Sequence, residues 1–100
     1  MSILSANEAA STLKYNSPDE MPGNVVSIYI PAIDDFIKSS TGKDWAAEDT
    51  IDPTAKMVAS ILLVRWFDDP SQIGIQLKST DSLNGFIIQL HAKVLQEATT

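Results

Sequence analysis

The sequence contains no cysteine, one histidine and only seven basic residues. Without cysteine, the chain can form neither a disulfide framework nor a thiolate zinc site. The basic residues are scattered along the chain, and the formal net charge is -6. We therefore do not expect duplex nucleic acid as a bound partner, because binding it requires clustered Lys and Arg side chains that displace counterions.

The chain also lacks a long hydrophobic run. The longest one, Met57 to Phe67, is interrupted by Ser60 and Arg65. It is shorter than the roughly 20 residues that a membrane-spanning helix needs, so we expect no contact with a membrane. One hundred residues, 44% hydrophobic and 20% charged, suit a single folded domain over residues 1–100.

Residue patterns that carry catalysis or bind cofactors are equally scarce. A Ser-His-Asp site would have to use His91, the single histidine, and no Gly-x-Ser-x-Gly motif accompanies it. The four glycines form neither a dinucleotide fingerprint nor a P-loop. We therefore expect no enzymatic activity, no catalytic residues, no cofactor and no metal site.

Helix-start and helix-stop residues divide the chain into four predicted helices, at about residues 6–15, 22–40, 53–67 and 82–96, with a loop over residues 70–81. Ser5 and Glu8 have the spacing of a capping box at the first helix. Gly42 is placed to end the second helix. Asp52 and Pro53 form a start signal for the third, as N-cap and first helical residue.

The second predicted helix is amphipathic. At 100° per residue, one sector collects its apolar side chains, namely Val25, Val26, Tyr29, Ile30, Ile33, Phe36 and Ile37. Asp34 and Asp35 lie towards the opposite sector, which predicts that both face solvent. Pro31 interrupts the pattern, and proline usually kinks or breaks a helix. We expect one bent helix, with a break near Ile30 as the alternative.

The third predicted helix is apolar on nearly every side and must therefore be covered all round. It is either a central helix, a subunit interface, or both. Arg65 has two interpretations, an ion pair with Asp68 and Asp69 or a contact to a neighbouring subunit. The sequence thus predicts an all-α fold, a small bundle of about four helices around a central apolar helix.

The loop before the last helix carries three large aliphatic residues, Ile73, Ile75 and Leu77, at alternate positions. This alternation predicts an extended loop or a short strand. Apolar side chains in a polar-flanked loop need cover from their own domain or from a partner, and both possibilities stay open here. With Lys78 and Arg65, these residues are our candidates for subunit contacts.

Several of these elements together resemble the head–tail connector (adaptor) family of tailed phages and prophages. The matching segments are Leu13–Tyr15, Asp34–Ser40, Thr41–Trp45, Pro53 and Ala59–Phe67, and the resemblance spans roughly residues 10 to 95. It implies structural roles for a signature set: Thr41, Gly42, Trp45, Pro53, Trp66 and Phe67. Many members of the family carry an Asn-Arg-Glu-like segment after the third helix, where this chain has Asp-Asp-Pro.

The resemblance implies a virion protein of the capsid vertex and neck, present in the host cytoplasm during assembly. Copies of the chain would form a ring beneath the portal protein, extend the DNA channel and dock the stopper or tail-completion protein. DNA would only pass through as cargo, and Asp34 and Asp35 would be candidates to line the lumen. The alternative from a different class is a small acidic helical phage regulator or inhibitor that binds a host protein.

Overall fold

The computed structural model describes residues 2–99, with side chains through residue 97. Its four α-helices are α1 (Ala6–Thr12), α2 (Ile30–Thr41), α3 (Pro53–Asp68) and α4 (Ser82–Thr99). No strand occurs within residues 2–99. The predicted all-α class is therefore confirmed, and the alternative of a short strand in the loop before α4 is wrong. That loop instead begins with a 3₁₀ turn, Pro70–Gln72.

The predicted capping box starts α1. Ser5 Oγ accepts from the N–H of Glu8, and the Glu8 carboxylate accepts from the N–H of Ser5, at 3.1 and 2.9 Å. The helix ends at Thr12, three residues before the predicted end, because Lys14 adopts a left-handed conformation with φ 66°. The N–H of Tyr15 then donates to the carbonyl of Ala10 at 2.8 Å, which closes a Schellman motif.

A π-helical turn, Val25–Tyr29, leads directly into α2. The helical backbone begins at Asn24 rather than near residue 22 and runs on without a break near Ile30. Pro31 explains the π turn, since it cannot supply the usual N–H to the carbonyl four residues before it. The wider turn also rotates the valines: Val25 is fully buried, whereas Val26, predicted to be inside, is 48% exposed.

The central helix is α3, which packs against α1, α2 and α4. Its N-cap is Asp52, whose carboxylate accepts from the N–H of Thr54 at 2.8 Å. Its buried residues recur at intervals of three and four, so they share one broad side of the helix, and they contribute much of the core: Ala55, Val58, Ala59, Leu62, Leu63 and Trp66. One side of α3 stays open, however, with Met57 38% and Val64 47% exposed. The helix is therefore central, yet not covered all round within the monomer.

Candidate functional site

The turn that follows α2 is a closed structural unit. Thr41 is buried, and its Oγ1 accepts from Trp45 Nε1–H while donating to the carbonyl of Ile37, both at 2.8 Å. Gly42 has φ +81°, a left-handed conformation that favours glycine at the end of a helix. The chain can thus reverse direction immediately and place the Trp45 ring, 3% exposed, in the core.

Lys43 links this turn to the C-terminal part of α4. Its Nζ lies 4.5 Å from the centroid of the Trp45 ring, donates to the Glu97 carboxylate of α4 at 2.8 Å, and forms an ion pair with Glu48. Glu48 first, and then Glu97, raises the pKa of Lys43. The side chains of Thr41, Lys43 and Trp45 are thus engaged within the chain.

The other residues of the signature set are also parts of the framework. Trp66 is 2% exposed and meets the Phe36 ring edge to face, with centroids 5.5 Å apart. Phe67 packs against Tyr29 at 5.9 Å. Pro53 occupies the first position of α3, where its missing N–H costs no hydrogen bond. None of these side chains forms an aromatic cluster open to a ligand.

The two acids on α2 have different surroundings, which corrects the prediction that both face solvent. Asp35 is exposed, but Asp34 is half-buried and its Oδ1 accepts from the N–H of Ile3 at 3.0 Å. Burial is the main cause that raises the pKa of Asp34 above its ordinary value. Asp34 therefore holds the N-terminal segment, with its buried Ile3, against α2. Asp35 is the more exposed of the two candidates for a channel wall.

Arg65 pairs with neither Asp68 nor Asp69, contrary to one of its two interpretations. Its guanidinium binds the Asp81 carboxylate at two points, 2.6 and 3.1 Å. This pairing is the main cause that lowers the pKa of Asp81. Asp81 also accepts from the N–H of Leu83 at 2.9 Å, so it is the N-cap of α4. The ion pair thereby closes the loop between α3 and α4 across its base.

Four of the five predicted contact residues meet at this ion pair. Arg65, Ile75, Leu77 and Lys78 line, with Asp81, a hollow of about 310 Å³, which we call the loop surface. Ile73 does not line it. Ile73 and Leu77 are half-buried against the core, whereas Ile75 is 54% exposed. Ile73 and Leu77 thus have cover from their own domain, whereas Ile75 has none within the monomer.

A second surface was missed by the sequence reasoning. The open side of α3 and the end of α1 line a shallow hollow of about 410 Å³, formed by Thr12, Ser60, Ile61, Val64 and Arg65. We call it the α1–α3 surface. Ile61 and Val64 of this hollow follow Met57 at intervals of four and three, which puts the three side chains on one face of α3. Because α3 is apolar on nearly every side, the sequence predicted that this side would be covered. It did not indicate which residues would stay exposed in the monomer.

The third surface lies along α4. Leu83, Ile87 and Leu90 bury one side of the helix against the rest of the bundle. Ile88, Ala92 and Leu95 follow each other at intervals of four and three on another side, with Ile88 62% and Leu95 58% exposed. We call these three residues the α4 stripe. The spacing of these three residues is present in the sequence. It was overlooked because Leu83, Ile87 and Leu90 form a stronger apolar stripe beside it.

Between residues 2 and 99, no three His, Cys, Asp or Glu side chains are placed to hold a metal ion. Within the same range, no helix is both long and apolar enough to cross a membrane. His91 is exposed on α4. The notable feature of the molecular surface is thus the set of exposed apolar side chains.

Comparisons with protein-family models, with curated proteins and with solved structures found no match to this chain.

Proposed function

We propose that this chain is a structural subunit of a phage neck, a head–tail connector that forms a ring beneath the portal. In this role it extends the DNA channel and presents a docking surface to the stopper or tail. One observation carries the proposal: the monomer exposes large apolar side chains on two different helices. They are Met57 and Val64 on α3, and Ile88 and Leu95 on α4.

Two separate apolar surfaces suit head-to-tail association better than a symmetric dimer. A two-fold dimer uses one patch twice, whereas a ring joins one patch to a different patch on the next subunit. The α1–α3 surface borders α1, while α4 packs against α2 and α3. In the proposed ring, the α1–α3 surface of each subunit therefore contacts the α4 stripe of its neighbour.

The resemblance to the connector family supports the same role. The residues that carry it form the framework of the bundle, including the Thr41–Trp45 turn and the aromatic end of α3. A structural ring subunit needs a stable framework and contact surfaces but no reactive groups. The net charge of -6 is also consistent with a channel that DNA passes through without adhering.

Native mass spectrometry over a concentration series, with negative-stain images of the most concentrated sample, tests the proposal. We expect a closed ring, either of the chain alone or after addition of the portal protein. A chain that stays monomeric in both samples would contradict the connector role. A discrete dimer that ignores the portal would also contradict it.

A mixing experiment tests the head-to-tail contact itself. One variant carries Val64→Asp on the α1–α3 surface, and the other carries Ile88→Ser and Leu95→Ser on the α4 stripe. Neither variant alone should form a ring. Mixed together, they retain one intact pair of surfaces and should form a heterodimer that grows no further. If either variant forms normal rings, its surface does not lie in the subunit contact.

The second candidate is a small acidic regulator that binds a host protein. It is favoured by exposed acids that have no ion pair among the described residues, namely Asp19, Glu20, Asp35, Asp44, Asp49, Asp68 and Asp69. Such a surface attracts a basic partner. A dimer that binds a basic host protein with strongly salt-dependent affinity would support this candidate over the connector.

A further inference from the structure

At the start of the second helical stretch, the buried residues differ from those that the apolar spacing predicts for an α-helix. In α2, Ile30, Ile33 and Ile37 are at most 4% exposed and define the buried side of the helix. If the α-helix continued towards the N-terminus, Val26 would lie within about 20° of the centre of that side. Val25 would lie more than about 100° from the centre. An unbroken α-helix would therefore bury Val26.

The structure buries the other valine. Val25 is 0% exposed and Val26 is 48% exposed. The π-helical turn Val25–Tyr29 adds one residue to the turn, so that Val25 takes the place that Val26 would fill. Since the two side chains are identical, either can fill that place with the same shape and volume.

Pro31 favours the observed register. In an α-helix its ring would collide with the carbonyl of Ser27, which would also lack a donor. The π turn relieves the collision and gives the N–H of Ile30 a partner, the carbonyl of Val25. Upstream, Gly23 is exposed, and no atom lies within 4 Å of the position of a Cβ there. Because Met21 is anchored in the core, the exposed residues 22–24 are the segment that would absorb a shift of one residue.

We propose that residues 24–30 are a register switch with two states, a π register that buries Val25 and an α register that buries Val26. Pro31 holds the switch in the π register. The register decides which valine side chain faces solvent beside Ile28, which is 52% exposed. A partner that contacts Val26 and Ile28 would bind only the π register, so its binding would shift the equilibrium towards it. This inference does not depend on the proposed function.

A double-mutant cycle at the two valines tests the switch. In the Val25→Ala variant, Val26 can move into the core, and in the Val26→Ala variant Val25 stays there. Each single substitution should therefore cost little stability. The double variant Val25→Ala/Val26→Ala leaves no valine for either register. We expect its folding equilibrium constant to fall at least about tenfold below the product of the two single effects. The measurement is urea unfolding monitored by circular dichroism.

Helix α3 supplies a matched control. Val58 is 0% and Val64 is 47% exposed, which reproduces the exposures of Val25 and Val26 in a helix with a fixed register. Val58→Ala and Val64→Ala should be additive, and Val25→Ala should cost clearly less than Val58→Ala. Additive effects at the Val25 and Val26 pair would overturn the switch, whatever the size of the single effects.

The role of Pro31 is tested in a Pro31→Ala background. Without the collision, the α register becomes favourable, so the larger loss of stability should move from Val25→Ala to Val26→Ala. If the larger loss stays with Val25→Ala, then Pro31 does not hold the register, and that part of the proposal is wrong.

Discussion

Two long connections of this bundle, residues 42–52 before α3 and residues 69–81 before α4, are held in different ways. The first inserts Trp45 into the core and ties Lys43 to α4. The second is closed at its base by one half-exposed ion pair between Arg65 and Asp81. It leaves an aliphatic side chain, Ile75, more than half exposed.

The difference indicates what each connection is for. A loop with its own buried anchor and satisfied polar groups is part of the framework, because moving it would disrupt the core. A loop that keeps exposed apolar surface gains stability only when something else covers it. We therefore propose that the first loop belongs to the fold and that the second contacts other molecules, and four experiments test this proposal.

The largest effect is expected for Trp45→Ala. It removes a buried ring, the hydrogen bond to Thr41 and the contact with Lys43. We expect a loss of about 3–5 kcal/mol in the free energy of unfolding, a large share of the total for a domain of this size. Urea unfolding measures it. A loss below about 1 kcal/mol would place the first loop outside the framework.

The ion pair of the second loop should contribute less. Asp81→Ala removes an N-cap and the partner of Arg65, and we expect a loss of about 1–2 kcal/mol at neutral pH. Because Arg65 lowers the pKa of Asp81 below its ordinary value of 3.8, the stabilisation is complete above that value. It is lost as the pH falls through the lowered pKa.

Unfolding measured at neutral and acidic pH checks this sign, with Arg65→Ala as the matched variant. The difference between each variant and the wild type should shrink as the solution becomes acidic. A difference that stays constant with pH would mean that Asp81 stabilises α4 without the help of its charge.

Alanine substitutions at two glycines compare the rigidity of the two loops. Gly42 and Gly74 both have positive φ, +81° and +75°, and a Cβ would meet no atom within 4 Å at either position. Substitution by alanine therefore tests only the backbone. Gly42→Ala should cost about 1–2 kcal/mol, whereas Gly74→Ala should cost less, because the second loop can relax. Equal losses in urea unfolding would show that both loops are equally fixed.

The smallest effect on stability is expected for Ile75→Ser. Its side chain is 54% exposed, so the free energy of unfolding should change by no more than about 0.5 kcal/mol. Association with the portal or with tail proteins should nevertheless weaken, as measured by co-sedimentation. Leu77→Ser is the contrasting variant, since Leu77 is half-buried and its loss should lower stability. Unchanged association of Ile75→Ser would remove Ile75 from the contact surface.

Much of the framework was predictable from local signals. The capping box at Ser5, the glycine stop at residue 42 and the Asp52–Pro53 start all occur where the sequence placed them, because caps depend on neighbouring residues. The candidate contact residues were predictable only in part. Ile75 was found because apolar residues are unusual in a loop, whereas the α4 stripe was hidden beside a stronger buried stripe.

The local sequence by itself determined that this protein is helical and where most helices begin and end, since these properties depend on hydrogen bonds and rotamers within a few residues. Only the tertiary structure decided the partners of its charges and the faces of its helices. Arg65 bonds to Asp81, sixteen residues away, rather than to the nearby acids, and Val25 rather than Val26 enters the core. The ion pair depends on how α3 and α4 pack, which no short segment encodes. The choice of valine depends on the π turn that Pro31 favours.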